Sequence, residues 1–208
     1  MAENTSAGVE YRIRFINNST NSGAFMMFQQ DPNLKIPDLS SLAWFSKYVH
    51  PGTDGSFNWT EDYNFFWKET KLLAPGITSV TTQCPPADLT GNNGITLTYD
   101  GAYNFINPEN MLPEPGLGIK MDQTIPPGQV QVGIGMSGAA TFLANGQPNM
   151  EMVFTPKPEY WIAFGNYEQG QALNVQELTN TAQLVFPEGI TEMNVTLNSD
   201  NTWSVTPA

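Results

Sequence analysis

A chain of 208 residues is long enough to enclose a full hydrophobic core without disulfide or metal staples. Its net charge of −12, with only eight Lys and Arg, leaves too few cations to grip a nucleic-acid backbone or an anionic lipid surface. Charged residues make up 13% of the chain, about half the usual share, and Asn, Thr, Gly and Pro take their place, which favours short strands and many turns over long helices.

The opening "MAENTSAGVEYRIRF" has neither a charged n-region nor an apolar run, so no signal peptide is expected. No stretch approaches the roughly 18–20 apolar residues of a membrane span. Cys84 is the sole cysteine, which excludes an intramolecular disulfide and suits a reducing compartment. The sequence therefore predicts a soluble cytoplasmic protein. Its N-x-S/T sequons are read as by-products of an Asn- and Thr-rich composition.

Strand-like alternation begins at once: Val9, Tyr11, Ile13 and Phe15 share one face, with Glu10, Arg12 and Arg14 on the other. Strands are predicted next over Gly23–Gln29, Leu42–Val49, Ser56–Thr60, Tyr63–Glu69, Ile77–Gln83, Ile95–Tyr99, Ala102–Ile106 and Leu117–Met121. Further strands are predicted over Gln129–Met136, Ala139–Ala144, Met150–Thr155, Tyr160–Gly165, Ala182–Phe186, Glu192–Leu197 and Thr202–Val205. Turn signals at Asp100-Gly101, Asn145-Gly146 and "NSDN" (198–201) separate them. Helical periodicity is scarce, with short helices predicted only over Asp38–Lys47 and Val175–Thr179. The expected fold is all-β: one domain, residues 1–208, forming a two-sheet antiparallel sandwich of jelly-roll or Greek-key type.

"QVQVGIGMSGAATFLANG" (129–146) contains a G-x-G-x-x-G formed by Gly133, Gly135 and Gly138. A dinucleotide loop needs a helix directly after the motif, because the pyrophosphate sits on that helix's N-terminus. Only Ala139–Ala144 precede the turn signal "NGQPN", too short for the roughly 10–12 residues of a crossover helix. Two strands joined at Ser137-Gly138 fit better. Ser137 also misses the G-x-S-x-G nucleophile elbow.

Residues 42–68 hold three of the five tryptophans and the only histidine. Phe57, Trp59, Tyr63, Phe65 and Trp67 fall on odd positions, and Trp44, Tyr48 and His50 share even parity on the strand before. One reading is an aromatic core. The other is a pocket walled by flat rings, with Tyr160, Trp161, Phe164 and Tyr167 closing it from another strand. On the pocket reading, the ligand-binding residues are Trp44, Tyr48, His50, Trp59, Tyr63, Trp67, Trp161 and Tyr167, and truncating Trp44 or Trp59 spares the apo fold. Catalysis has few players, since any Ser-His or Cys-His arrangement must use His50. One His and one Cys exclude a His/Cys zinc site, whereas Asp54, Glu61 and Asp62 make a calcium site conceivable, a solvated acidic loop being the preferred reading.

Several stretches resemble the RhiA-type proteins: "YRIRFINNS" (11–19), "SLAWFSKYVHPGT" (41–53), "FNWTEDYNFFWKET" (57–70), "VGIGMSG" (132–138), "FTPKPEYWIAFGNY" (154–167) and "DNTW" (200–203). The resemblance spans nearly the whole chain and implies no catalytic residue. In size and acidity the chain is also similar to the pink chromoproteins of oyster mushrooms. The function expected is non-enzymatic binding of a planar aromatic small molecule, a bound chromophore being the pigment form. The alternative is a lectin-like sugar binder, or an accumulated structural or storage protein without a small-molecule pocket. A homodimer is compatible with either.

Overall fold

The computed structural model describes residues 8–30, 36–69, 75–76, 83–113 and 115–208. Strands dominate them, as the composition demands, and they pair into four sheets. The first sheet runs β17 (Trp203–Pro207), β16 (Glu192–Leu197), β1 (Glu10–Asn17), β5 (Asp54–Thr60). Facing it is β15 (Thr181–Leu184), β14 (Glu159–Gly165), β2 (Gly23–Gln30), β4 (Phe45–Val49). Their inward side chains form one core, including Ile13, Phe15, Phe25, Met27, Trp44, Trp59, Ile162 and Val195.

The second sandwich has its own core. One sheet is β3 (Ser40–Ser41), β12 (Ala139–Asn145), β11 (Val130–Met136), β6 (Tyr63–Glu69), β7 (Pro86–Ala87). The other is β13 (Met150–Phe154), β10 (Leu117–Met121), β8 (Gly94–Tyr99), β9 (Tyr103–Glu109). Between them lie Phe65, Trp67, Ile95, Leu97, Ile119, Val132, Ile134 and Phe154. The expected sandwich is thus built twice, and the second copy, apart from its two-residue edge strand β3, is inserted as β6–β13 between β5 and β14 of the first. Most pairings are antiparallel, but β1–β16 and β8–β10 are parallel. The first of these joins the two ends of the chain.

The predicted hairpin at Ser137-Gly138 is present, with Met136 opposite Ala139. Ser137 and Gly138 have φ of 52° and 71°, the left-handed pair of a type I′ turn. Gly133 and Gly135 lie inside β11, not in a loop that opens a helix. They sit beside a register shift, where an added Cβ would lie 1.9 Å from the Phe142 carbonyl oxygen and 2.1 Å from that of Ala139.

The predicted helix over Asp38–Lys47 does not form. Asp38 has φ 56°, Ser40–Ser41 is a strand, and Phe45 begins another. Leu42, Ala43 and Trp44 each enter a different hydrophobic cluster, as an extended segment lodged between sheets can do and one helix face cannot. The second predicted helix is a single 3₁₀ turn, Val175–Glu177. The strand predicted over Ile77–Gln83 lies outside the described residues except for Gln83, which bridges Trp67. No described helix is long and apolar enough to cross a membrane.

Candidate functional site

The eight residues of the sequence-based pocket do not assemble. The odd-position argument assumed one continuous face, but the Glu61-Asp62 turn sends β5 and β6 into different sandwiches. Phe57 and Trp59 enter the first core, while Phe65 and Trp67 enter the second. Tyr63 packs at the margin of both. Trp44 precedes β4 and is fully buried, whereas Tyr48 points outward at 60% exposure beside the His50 ring. Trp161 and Tyr167 pack on the opposite face of their sheet from Tyr160, around Met26, Phe28 and Leu173.

Trp44 and Trp59 do meet, edge to face at 5.6 Å, with Tyr160 stacked at 6.1 Å from Trp44. Tyr11 and Phe186 close the same group. The Trp44 Nε1–H donates to the Met136 carbonyl at 3.1 Å. Trp59 Nε1 makes no described hydrogen bond. The Tyr160 hydroxyl donates to Glu61 Oε1 at 3.1 Å, and burial, then the Glu61 charge, pushes its pKa well above the ordinary range. Here the rings are one another's ligands.

A concavity of about 710 Å³ lies elsewhere. Alternation builds it. On β1, Ile13 and Phe15 turn inward, which leaves Arg12 and Arg14 on the outer face. On β16, Met193, Val195 and Leu197 turn inward, so Glu192, Asn194 and Thr196 face out. The register sets Arg12 between Glu192 and Asn58, and Arg14 between Asn194 and Ser56. Lys47 reaches the same cleft from β4. Gly55 leaves room for it, since a Cβ there would lie 3.2 Å from the lysine stem.

Glu192 Oε1 lies 2.5 Å from Arg14 Nε and 3.9 Å from Arg12 Nε, ion pairs that are not hydrogen bonds. The cleft thus gathers three of the chain's eight basic side chains, both arginines included, against Asp54 in its lining and Glu192 beside it. A smaller, mainly apolar concavity of about 380 Å³ is lined by Gln83, Cys84, Pro85, Ile95, Phe105 and Pro108. None of the eight predicted residues lines either one.

Two other sequence readings are placed by the geometry. Asp54 and Glu61 sit at opposite ends of β5, roughly 20 Å apart at strand rise, so the imagined calcium ligands do not converge. Asp62 instead accepts from the Thr60 hydroxyl, and the Ser137 hydroxyl lies 3.3 Å away. His50 Nδ1 is 3.0 Å from the Ser22 hydroxyl, a pairing the sequence hid behind a separation of 28 positions. Both groups are exposed, and no described carboxylate bonds the ring to orient it as a catalytic base.

A protein-family model described as RhiA matches residues 8–208. The chain belongs to the RhiA family. It is 32% identical over 204 residues to Protein RhiA of Rhizobium leguminosarum bv. viciae, covering 97% of this chain and 88% of that one. No solved structure matches. The matched RhiA region takes in every strand of both sandwiches. The stretch 11–19, one of those carrying the resemblance, includes most of β1 and supplies both arginines of the cleft.

Proposed function

We propose that this RhiA-family protein is a non-enzymatic, lectin-like binding protein that takes a polar, sugar-like ligand on the outer face of the β17-β16-β1-β5 sheet. One observation carries the reading: a concavity of about 710 Å³ is lined by hydrogen-bonding side chains on three adjacent strands. Its volume falls in the range of small-molecule sites. Arg12, Arg14, Ser56, Asn194 and Thr196 present donors and acceptors at the spacing of a pleated sheet. The thin catalytic inventory supports binding over turnover.

The test is a glycan array followed by calorimetry of each hit against wild type and Asn194→Ala. Saturable binding that weakens in the variant supports the reading. Binding to no glycan, or binding indifferent to the variant, removes it.

A bound aromatic chromophore is the second reading, and the concavity around Ile95 and Phe105 favours it over the packed tryptophans as a location. Its test is the absorption spectrum of protein purified from its source. A band beyond 300 nm that Phe105→Ala abolishes supports this reading; a spectrum accounted for by Trp and Tyr alone rejects it.

A further inference from the structure

Arginine is scarce in this chain: both copies, Arg12 and Arg14, stand two residues apart on one strand and on one face. Their Cβ atoms are therefore roughly 7 Å apart along β1. The described ion pairs engage only their Nε atoms, and both go to one oxygen of one carboxylate, Glu192 Oε1. No described hydrogen bond or ion pair uses an Nη atom of either side chain. With Lys47 at the far side and Asp54 in the lining, the cleft carries net positive charge on a molecule of net charge −12.

We infer that the cleft is selective for an acidic saccharide, whose carboxylate or sulfate docks on the free guanidinium forks while Asn194, Ser56 and Thr196 take its hydroxyls. This rests on the sugar-binding reading above and adds the charge of the ligand. A planar fork matches a carboxylate or sulfate with two parallel N–H···O bonds, a geometry that the Nε contacts of Glu192 leave open. A neutral sugar gains only ordinary hydrogen bonds from two guanidinium groups, about half the strength of the charge-assisted pair. The acidic remainder of the protein repels anions at long range, so recognition depends on these short contacts and weakens as salt screens them. Glu192 competes with the ligand for Arg14.

The experiment is calorimetric titration with four probes: a hyaluronan tetrasaccharide (carboxylate), a heparin tetrasaccharide (sulfate), cellotetraose (neutral) and sodium sulfate. The acidic tetrasaccharides are expected to bind at least about tenfold more tightly than cellotetraose, the scale of one charged hydrogen bond. Whichever of the two binds more tightly identifies the preferred anion. Arg14→Ala and Arg12→Ala are expected to remove most of that preference, with melting curves confirming that these surface variants fold.

Glu192→Gln is expected to raise affinity for the acidic probe, an effect that a purely structural ion pair would not produce. Equal affinity for cellotetraose overturns the charge selection and leaves the sugar reading standing. Sodium sulfate binding as tightly as the tetrasaccharides reduces the site to an anion site and overturns the saccharide. No binding of any probe removes both.

Discussion

Trp44 and Met136 belong to different sandwiches, and the indole Nε1–H of the first donates to the backbone carbonyl of the second at 3.1 Å in a buried environment. Met136 ends β11, and its side chain packs into the first core, although its strand lies in the second sandwich. The two cores are therefore joined through this contact as well as by the covalent chain.

Truncation of Trp44 is expected to unsettle the fold. Its side chain is 0% exposed and stacks on Phe45 at 4.3 Å. Trp44→Ala is expected to lose about 3–5 kcal/mol, because the vacated volume collapses only partly. Trp44→Phe keeps a ring but loses the hydrogen bond to the Met136 carbonyl, costing about 0.5–1.5 kcal/mol. Denaturant melts measure both. A pocket-wall tryptophan predicts the reverse: near-native apo stability and failed ligand binding.

The glycines of the G-x-G-x-x-G are ordered by what a methyl group would meet. At Gly133 the obstacle is backbone, the Phe142 carbonyl oxygen at 1.9 Å, so Gly133→Ala must move β12 and is expected to cost upwards of about 1–3 kcal/mol. At Gly138 nothing lies within 4 Å, and only its φ of 71° resists, which predicts about 1–2 kcal/mol. Chemical denaturation should rank them in that order, and NAD, FAD and ATP should give no heat of binding. Saturable nucleotide binding lost in Gly133→Ala would overturn the hairpin explanation.

Much of this fold was legible locally. β6, β10 and β16 have the bounds that alternation assigns, and Ser137-Gly138 turns as its residues require. Partner choice was not legible. Nothing near Arg12 announces that β16, about 180 positions later, lies parallel beside it and supplies Glu192 and Asn194. Parity failed at Glu61-Asp62 because a turn that changes sheets resets which face is inward. The tryptophans read equally well as wall or core, since burial depends on what the opposite sheet brings. Arg12 and Arg14 were visible as an outward pair on β1, but the cleft needed Lys47 and Asn194 from distant strands.

Asn93 is a clamp that composition concealed. Buried at 1% exposure, its Oδ1 accepts from the N–H groups of Met111 at 2.8 Å and Leu112 at 3.1 Å, and its Nδ2 donates to the Leu112 carbonyl at 3.0 Å. It holds Met111 across the paired Gly94 and Gly118, where added Cβ atoms would lie 2.2 and 1.9 Å from that side chain. Asn93→Ala strands these backbone groups, at about 1–3 kcal/mol for each one left buried. Asn93→Asp keeps the acceptor but sets a buried carboxylate against the Leu112 carbonyl oxygen, so at neutral pH its loss should match or exceed that of Asn93→Ala. Equal melting midpoints for Asn93→Ala and wild type would contradict the clamp.

Tyr160 predicts how the protein fails in alkali. Burial among Trp44, Trp59 and Phe186, followed by the negative charge of Glu61, raises its pKa above the ordinary 10.0. Below about pH 10 the hydroxyl is protonated in both folded and unfolded chains, and its stabilising contribution is fully present. Above that, the unfolded chain releases the proton while the folded one retains it, so stability falls as pH rises toward the folded pKa. One such proton accounts for about 1.4 kcal/mol per pH unit. Tyr160→Phe gives up the hydrogen bond to the Glu61 carboxylate, a loss of about 1.5–3 kcal/mol at neutral pH. In exchange it should show a shallower alkaline decline, with Tyr11, Tyr103 and Tyr167, also raised by burial, supplying the remaining slope. Urea midpoints of both proteins from about pH 8 to pH 11.5 measure the difference. Parallel curves over that range would mean that the Tyr160 hydroxyl titrates as freely in the folded protein as in the unfolded chain.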